Sequence, residues 1–236
     1  MLTYPRVLLK LSGEALEGDQ GFGVDPRTLA AVAAELQEVS ALGVQLGVVV
    51  GGGNFFRGLT AVSTGMERSA GDGMGMLATL MNCLALEDAL QRRGQRCRLL
   101  SALPVGPLGE PFSRSRAIAA LEAGEVVLLG AGTGHPYFST DTAAALRALE
   151  IGASALLKAT QVDGIYDKDP KKHADAVRFE RISYDEVLER QLKVMDLTAI
   201  TLCRENRMPL VIFDLGGAGN IKRVVTGEPV GSRVVD

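Results

Sequence analysis

Short, continuous apolar runs alternate along this chain with longer stretches whose apolar positions recur at helical spacing. Four runs feed straight into glycine or lysine: Val7-Leu8-Leu9-Lys10-Leu11-Ser12-Gly13, Val48-Val49-Val50-Gly51-Gly52-Gly53-Asn54, Val126-Val127-Leu128-Leu129-Gly130-Ala131-Gly132-Thr133-Gly134 and Ala155-Leu156-Leu157-Lys158-Ala159-Thr160. A strand buried on both faces reads as an unbroken apolar run, and open α/β sheets gather ligands beyond the carboxyl ends of their strands. Glycine at such an end lets backbone N–H groups approach a phosphate, and a following helix N-terminus favours the anion. Lysine at two of the ends adds mobile positive charge. The pattern points to chemistry on a polyphosphate.

The helices between these runs are also legible. Asp25-Pro26 opens one with Leu29, Val32, Ala33, Leu36 and Val39 at helical spacing; Gly43 closes it, and Val44–Val50 follows as a strand. A long helical pattern runs from Asp72 to Arg93 and stops at Gly94. Its Met74, Met76, Leu77, Leu80, Met81, Leu84 and Leu86 are apolar over more than one face, which calls for extra burial in the core or against another subunit. Ser113–Ala123 and Thr140–Glu150 read as helices ending before Gly124 and near Gly152. Beyond Lys158, Val162–Pro170 reads as a hairpin or tight loop about Asp163-Gly164, and Ser183-Tyr184-Asp185-Glu186 as a capping box. Asp196–Asn206 then reads as a helix, Pro209–Phe213 as a strand, Gly216–Asn220 as a turn into a last short helix, and Val230–Val235 as an edge strand. This alternation predicts an α/β fold with a doubly wound, mostly parallel sheet between two helical layers, in one domain over 1–236.

Composition excludes more than it identifies. With 47% hydrophobic and 22% charged residues the chain has an ordinary globular make-up. A net charge of −3 and 5% aromatic residues, none of them Trp, argue against a nucleic-acid partner. Cys83, Cys97 and Cys203 form no CxxC pair and sit among apolar residues, which predicts buried thiols in a reducing compartment. With His135 and His173 the only histidines, no zinc or other protein-held metal site is expected. Lys10 and Glu14 interrupt the first apolar run, so it does not read as a signal peptide. The uncharged stretch Val39–Phe56 is broken by glycines and reads as strand plus loop, so no membrane partner is expected and the location is taken as cytoplasmic.

No GxxxxGK[ST] sequence is present, and Gly130-x-Gly132 fails as a dinucleotide fingerprint because its sixth position is His135. Taken alone, Lys10 and Lys158 are either solvated strand-end lysines or phosphate ligands. Asp72, Asp141 and Asp196 are either helix caps or working carboxylates, and Arg57 is either a surface residue or a phosphate fork.

Larger blocks carry a resemblance. Lys10–Leu16, Gly51–Gly58, Gly71–Thr79, Gly132–Asp141, Lys158–Thr160, Val162–Gly164, Asp167–Pro170 and Lys193–Asp196 together resemble the bacterial uridylate kinases of the amino-acid kinase family, over nearly the whole chain. The resemblance implies the amino-acid kinase fold and transfer of a phosphoryl group from ATP, with Mg²⁺, to UMP. It implies a catalytic group of Lys10, Lys158, Asp196, Asp141 and Arg57, with Asp196 orienting Lys10. It implies ATP contacts at Lys10, Leu11, Ser12, Gly13, Gly53, Arg57, Thr160, Tyr166 and Asp169. UMP would be held at Gly52, Asp72, Thr133, Gly134, His135, Pro136, Tyr137, Phe138, Ser139 and Thr140, with Asp72 accepting the ribose hydroxyls. The part before about residue 150 would bind UMP and the part after it ATP. The resemblance further implies a homohexamer, inhibition by UTP and a possible activation by GTP. His135 stands where the family has asparagine, and Gln161 where lysine or asparagine is common. Kinases of carbamate, acetylglutamate or aspartate, and a non-catalytic nucleotide- or oxyanion-binding protein, are the alternatives on the same fold.

Overall fold

Nine strands form one sheet in the computed structural model, which describes residues 2–56 and 65–236. In chain order they are β1 (Arg6–Leu11), β2 (Gln45–Val50), β3 (Cys97–Ser101), β4 (Glu110–Pro111), β5 (Val126–Gly130), β6 (Ala155–Thr160), β9 (Arg181–Ser183), β10 (Leu210–Asp214) and β11 (Ser232–Val235). β7 (Ile165–Tyr166) and β8 (Arg178–Phe179) make a separate antiparallel pair. The order across the sheet is β4-β3-β5-β2-β1-β6-β10-β11-β9, and every pairing is parallel except β10 with β11. The predicted αβα sandwich with a mostly parallel sheet is therefore what the chain adopts.

Two apolar layers cover the sheet. One packs α1 (Pro26–Ala41), α2 (Arg68–Arg92) and α7 (Asn220–Val225) against Val7, Leu9, Leu11, Val48, Val50 and Leu157. The other packs α3 (Arg114–Glu122), α4 (Thr140–Glu150), α5 (Tyr184–Glu189) and α6 (Leu197–Glu205) against Leu8, Val49, Val127, Leu129 and Leu156. Ala143, Ala144, Ala145 and Ala148 are fully buried, and side chains this small let α4 lie close to the sheet. Successive residues of a strand face opposite layers. Lys10 therefore shares the face of Leu8, and Lys158 the face of Leu156, which is the layer that contains α4 and α6.

Local signals account for most boundaries. Asp25 caps α1 by accepting from the Thr28 N–H at 2.7 Å, with Pro26 in the first turn, and the Ser183–Glu186 capping box forms as its spacing predicts. Three differences stand out. The long helix begins at Arg68, where Glu67 caps it by accepting from the Ala70 N–H at 3.0 Å, although Gly71, Gly73 and Gly75 in its first two turns disfavour a helix. β11 is interior, with β9 beyond it at the edge, so Val230–Val235 does not supply the edge strand. β3 has only Leu99 and Leu100 as an apolar core and gave no run to read.

Candidate active site

Lys10 and Lys158 are register partners on the adjacent parallel strands β1 and β6, so two ammonium groups emerge side by side on one face. The first turn of α4 places Asp141 between them, with Lys10 Nζ 2.8 Å from Oδ1 and Lys158 Nζ 2.7 Å from Oδ2. The Lys158 ammonium also donates to the Val194 carbonyl at 2.7 Å. All three side chains are at most 15% exposed. Burial pushes the Asp141 carboxyl up, but the two ammonium groups outweigh it and hold the group below the usual carboxylate range. Burial also lowers the Lys158 ammonium from its ordinary value, with Asp141 opposing the shift. Two ammonium groups share the one carboxylate that they pair with directly, in a site largely closed to water, and Asp196 adds its charge nearby. Such a site suits an incoming polyphosphate.

Asp196 takes a different place from the one the resemblance implied. It caps α6 by accepting from the Ala199 N–H at 3.0 Å, and it also accepts from the Thr142 hydroxyl at 2.9 Å and from the Ser139 hydroxyl. The carboxylate paired with Lys10 is that of Asp141. Asp196 instead ties the start of α6 to the start of α4, so it holds the helix that presents Asp141. Thr142 completes this link and was missed in the sequence, where it reads as an ordinary first-turn threonine.

The loop after β2 seats directly on α2. A Cβ on Gly52 would come within 2.8 Å of the Gly75 carbonyl and of Ala78 Cβ, and one on Gly13 within 2.4 Å of Asn54 Oδ1 and 2.6 Å of the Gly51 carbonyl. Backbone meets backbone here, and only glycine fits. Ser12 borders a cavity together with Lys10 and Lys158, and Gly13 packs against Gly51 and Gly53 behind it. Leu11 is fully buried in the core, and its carbonyl accepts from the Gly51 N–H at 2.9 Å, so its side chain does not face the cleft. Arg57 lies outside the described residues.

The segment after β5 folds over the same end of the sheet. Ala131, Gly132, Gly134 and Tyr137 all adopt left-handed φ values of 58° to 81°. Arg147, buried and stacked 3.9 Å from the Phe112 ring, donates to the Gly132 carbonyl at 3.2 Å. Asp72 lies in the second turn of α2, not at its cap. Its Oδ2 accepts from the Tyr137 N–H at 2.7 Å and from Arg68 Nε at 2.8 Å, and the Arg68 guanidinium sits 5.6 Å from the Tyr137 ring. Asp72 is thus the anchor that holds the Thr133–Thr140 segment against α2. Tyr137 and Phe138 are exposed, as is His135, while Pro136 and Thr140 are half-buried and Ser139 caps α4.

On the other side of Lys158 a cavity of about 680 Å³ is lined by Thr160, Tyr166, Asp169 and Val194. Thr160 closes the turn beyond β6 by accepting from the Val162 N–H at 2.9 Å, Tyr166 donates to Asp163 at 2.7 Å, and Asp169 accepts from the Lys171 N–H at 2.9 Å. A second cavity of about 1030 Å³ is bordered by Lys10, Ser12, Thr28, Glu35, Thr160 and Asp214. Burial pushes the Cys83 thiol up to about 12 and the Cys97 and Cys203 thiols to about 11, so none supplies a nucleophile at neutral pH. Among the described residues, no group of three or more His, Cys, Asp or Glu side chains could hold a metal ion, and no helix is long and apolar enough to cross a membrane.

Asn82 and Thr79, on the buried face of α2, bond to the loops after β2 and β5, and neither was given a role in the sequence, where Thr79 only ends the Gly71–Thr79 block. Their only signal was a polar side chain at positions where the helical period points inward. Solved structures share this architecture. The chain is 35% identical to a UMP kinase from Bacillus anthracis, with a TM-score of 0.96 over 99% of this chain and 96% of that one. It is 36% identical to a UMP kinase from Ureaplasma parvum, with a TM-score of 0.93 over 98% of both chains. A uridylate kinase from Archaeoglobus fulgidus is 30% identical, with a TM-score of 0.75 over 97% of this chain and 99% of that one. The amino acid kinase family model matches residues 5–214, and with the paired lysines at the ends of β1 and β6 inside that span, the chain belongs to the amino acid kinase family.

Proposed function

We propose that this chain is a UMP kinase that transfers the γ-phosphoryl group of ATP to UMP, giving UDP and ADP, in pyrimidine nucleotide biosynthesis in the cytoplasm. The observation that carries the reading is the Lys10–Asp141–Lys158 group between the glycine loop and the Thr133–Thr140 segment. The acceptor would be a phosphate oxygen, already anionic at neutral pH, so no general base is required and catalysis consists of positioning and charge neutralisation. Lys10 and Lys158 would hold the equatorial oxygens of the moving group, with N–H groups near Gly13, Gly52 and Gly53 beside them. The γ-phosphorus passes directly from the leaving oxygen of ADP to the phosphate oxygen of UMP.

The adenosine would lie in the cavity with Thr160, Tyr166 and Asp169, and UMP beneath Thr133–Thr140 with Asp72 at its ribose, so the two halves of the chain would divide the substrates near residue 150. Arg57 would join the phosphates. Asp141 is committed to the lysines, so Mg²⁺ would be held by nucleotide oxygens and water, where it neutralises charge on the β- and γ-phosphates. UTP would inhibit by entering the UMP pocket with its extra phosphates toward Lys10. For GTP, the cavity lined by Glu87, Gln91, Arg96, Arg98 and Glu110 has its Arg98 held by Glu125 at 2.8 Å and Glu110 at 3.3 Å, so activation would be modest at most.

A coupled assay with ATP, Mg²⁺ and a panel of acceptors tests the reading. Turnover of UMP with little use of CMP, AMP or GMP is expected. Turnover of acetylglutamate or carbamate in place of UMP would reject it.

A further inference from the structure

Thr79 and Asn82 stand one helical turn apart on the buried face of α2, 4% and 0% exposed. Polar side chains this deep are unfavourable unless bonded, and both are bonded to loops that carry the proposed site. Asn82 Nδ2 donates to the Gly51 carbonyl at 2.7 Å and to Asn54 Oδ1 at 2.7 Å, while its own Oδ1 accepts from Asn54 Nδ2 at 2.9 Å. Asn54 Nδ2 also donates to the Gly23 carbonyl at 2.7 Å, and Asn54 Oδ1 is the atom against which Gly13 packs. The reciprocal amide pair therefore sets the gap between Gly13 and the Gly51–Gly53 loop.

Thr79 addresses the other loop. Its hydroxyl donates to the Met76 carbonyl at 2.7 Å and accepts from the Ala131 N–H at 2.9 Å. Ala131 has φ 62°, a conformation an L-residue keeps only when its surroundings impose it. The Gly134 N–H in turn donates to the Ala131 carbonyl at 2.9 Å, so the turn that begins the Thr133–Thr140 segment is built on this anchor.

We infer that Thr79 and Asn82 are positioning residues that fix the Thr133–Thr140 loop and the Gly51–Gly53 loop, respectively, at a set separation on one rigid helix. Three residues of helix advance about 4.5 Å along the axis, a distance that does not drift while the helix is intact. The inference rests on the proposed assignment of the Thr133–Thr140 loop to UMP and of the Gly51–Gly53 loop to the phosphates of both substrates, Gly52 to UMP and Gly53 to ATP.

The test compares Thr79→Val, Thr79→Ser and Asn82→Ala with the parent protein, each well below its melting temperature. Thr79→Val should raise the KM for UMP about tenfold and leave the KM for ATP within about twofold, and Thr79→Ser should restore the parent value. Asn82→Ala should lower kcat about tenfold and raise the KM for ATP and for UMP together, because the loop it holds carries both Gly52 and Gly53. A purely structural role would lower the melting temperature without these changes, and either that result or parallel movement of both KM values in Thr79→Val overturns the inference. Hydrogen exchange separates it from the proposed function. Thr79→Val should speed exchange at the Ala131 amide and spare Gly51–Asn54, and Asn82→Ala the reverse, whether or not UMP is the acceptor. Unchanged exchange at both loops also overturns the inference, whereas a parent protein inactive on UMP rejects the proposed function alone.

Discussion

Lys158 reaches its position on a strand that offers it little water, and burial lowers its ammonium from the ordinary value. A lysine with a depressed folded value opposes folding at neutral pH, and that opposition is relieved only as pH rises through the folded value toward the unfolded one. Lys158→Met removes that opposition but also takes a partner from Asp141, which keeps Lys10, and from the Val194 carbonyl, so the melting temperature should move little while kcat falls on the order of 10²-fold or more. Calorimetry beside the coupled assay checks both, and a large loss of stability would contradict the argument. Asp141 behaves in the opposite way. Its lowered value makes its contribution complete above the ordinary carboxylate range, near pH ~4, and lost as pH falls through the folded value. Asp141→Asn leaves two buried ammonium groups facing each other and should cost about 3–5 kcal/mol at pH 7. Urea melts should show the gap to the parent protein closing on acidification.

At the scale of elements, α2 connects most of the site. Gly73 has open space where a Cβ would stand and an ordinary helical conformation, so Gly73→Ala should stabilise the fold by about 0.5–1 kcal/mol. Gly52→Ala has no such room against Gly75 and Ala78 and should lower both turnover and melting temperature. Differential scanning of the two variants side by side distinguishes packing from propensity. The same helix shows why the chain was only partly readable. Its apolar period and its end at Gly94 were plain, but its start was hidden by Gly71, Gly73 and Gly75, which disfavour a helix and lie just after its cap at Glu67. Lys10 and Lys158 announced themselves by standing at the ends of apolar runs. That Asp141, and not Asp196, takes the ion pairs depends on how α4 sits on the sheet, and spacing along the chain does not contain that. Thr79 and Asn82 were hidden for the same reason, since their partners lie 52 and 28 residues away.

At the scale of the whole molecule, the outward face of α2 leaves Met74, Leu77 and Met81 exposed at i, i+3 and i+7, a contiguous apolar stripe. We propose that a second copy of the chain covers this stripe. Leu77→Glu should reduce the mass measured by light scattering, and a parent protein that is monomeric at micromolar concentration would remove the stripe's role. β1 and β6 are hydrogen-bonded neighbours with Lys10 opposite Lys158, so the halves on either side are joined by a backbone ladder and not by a swinging tether. A jaw-like closure about a flexible joint is therefore not available along this line. Any change in the angle between the halves has to be taken up as twist of the sheet itself, and the first side chains to feel that twist are the two ammonium groups on its central strands.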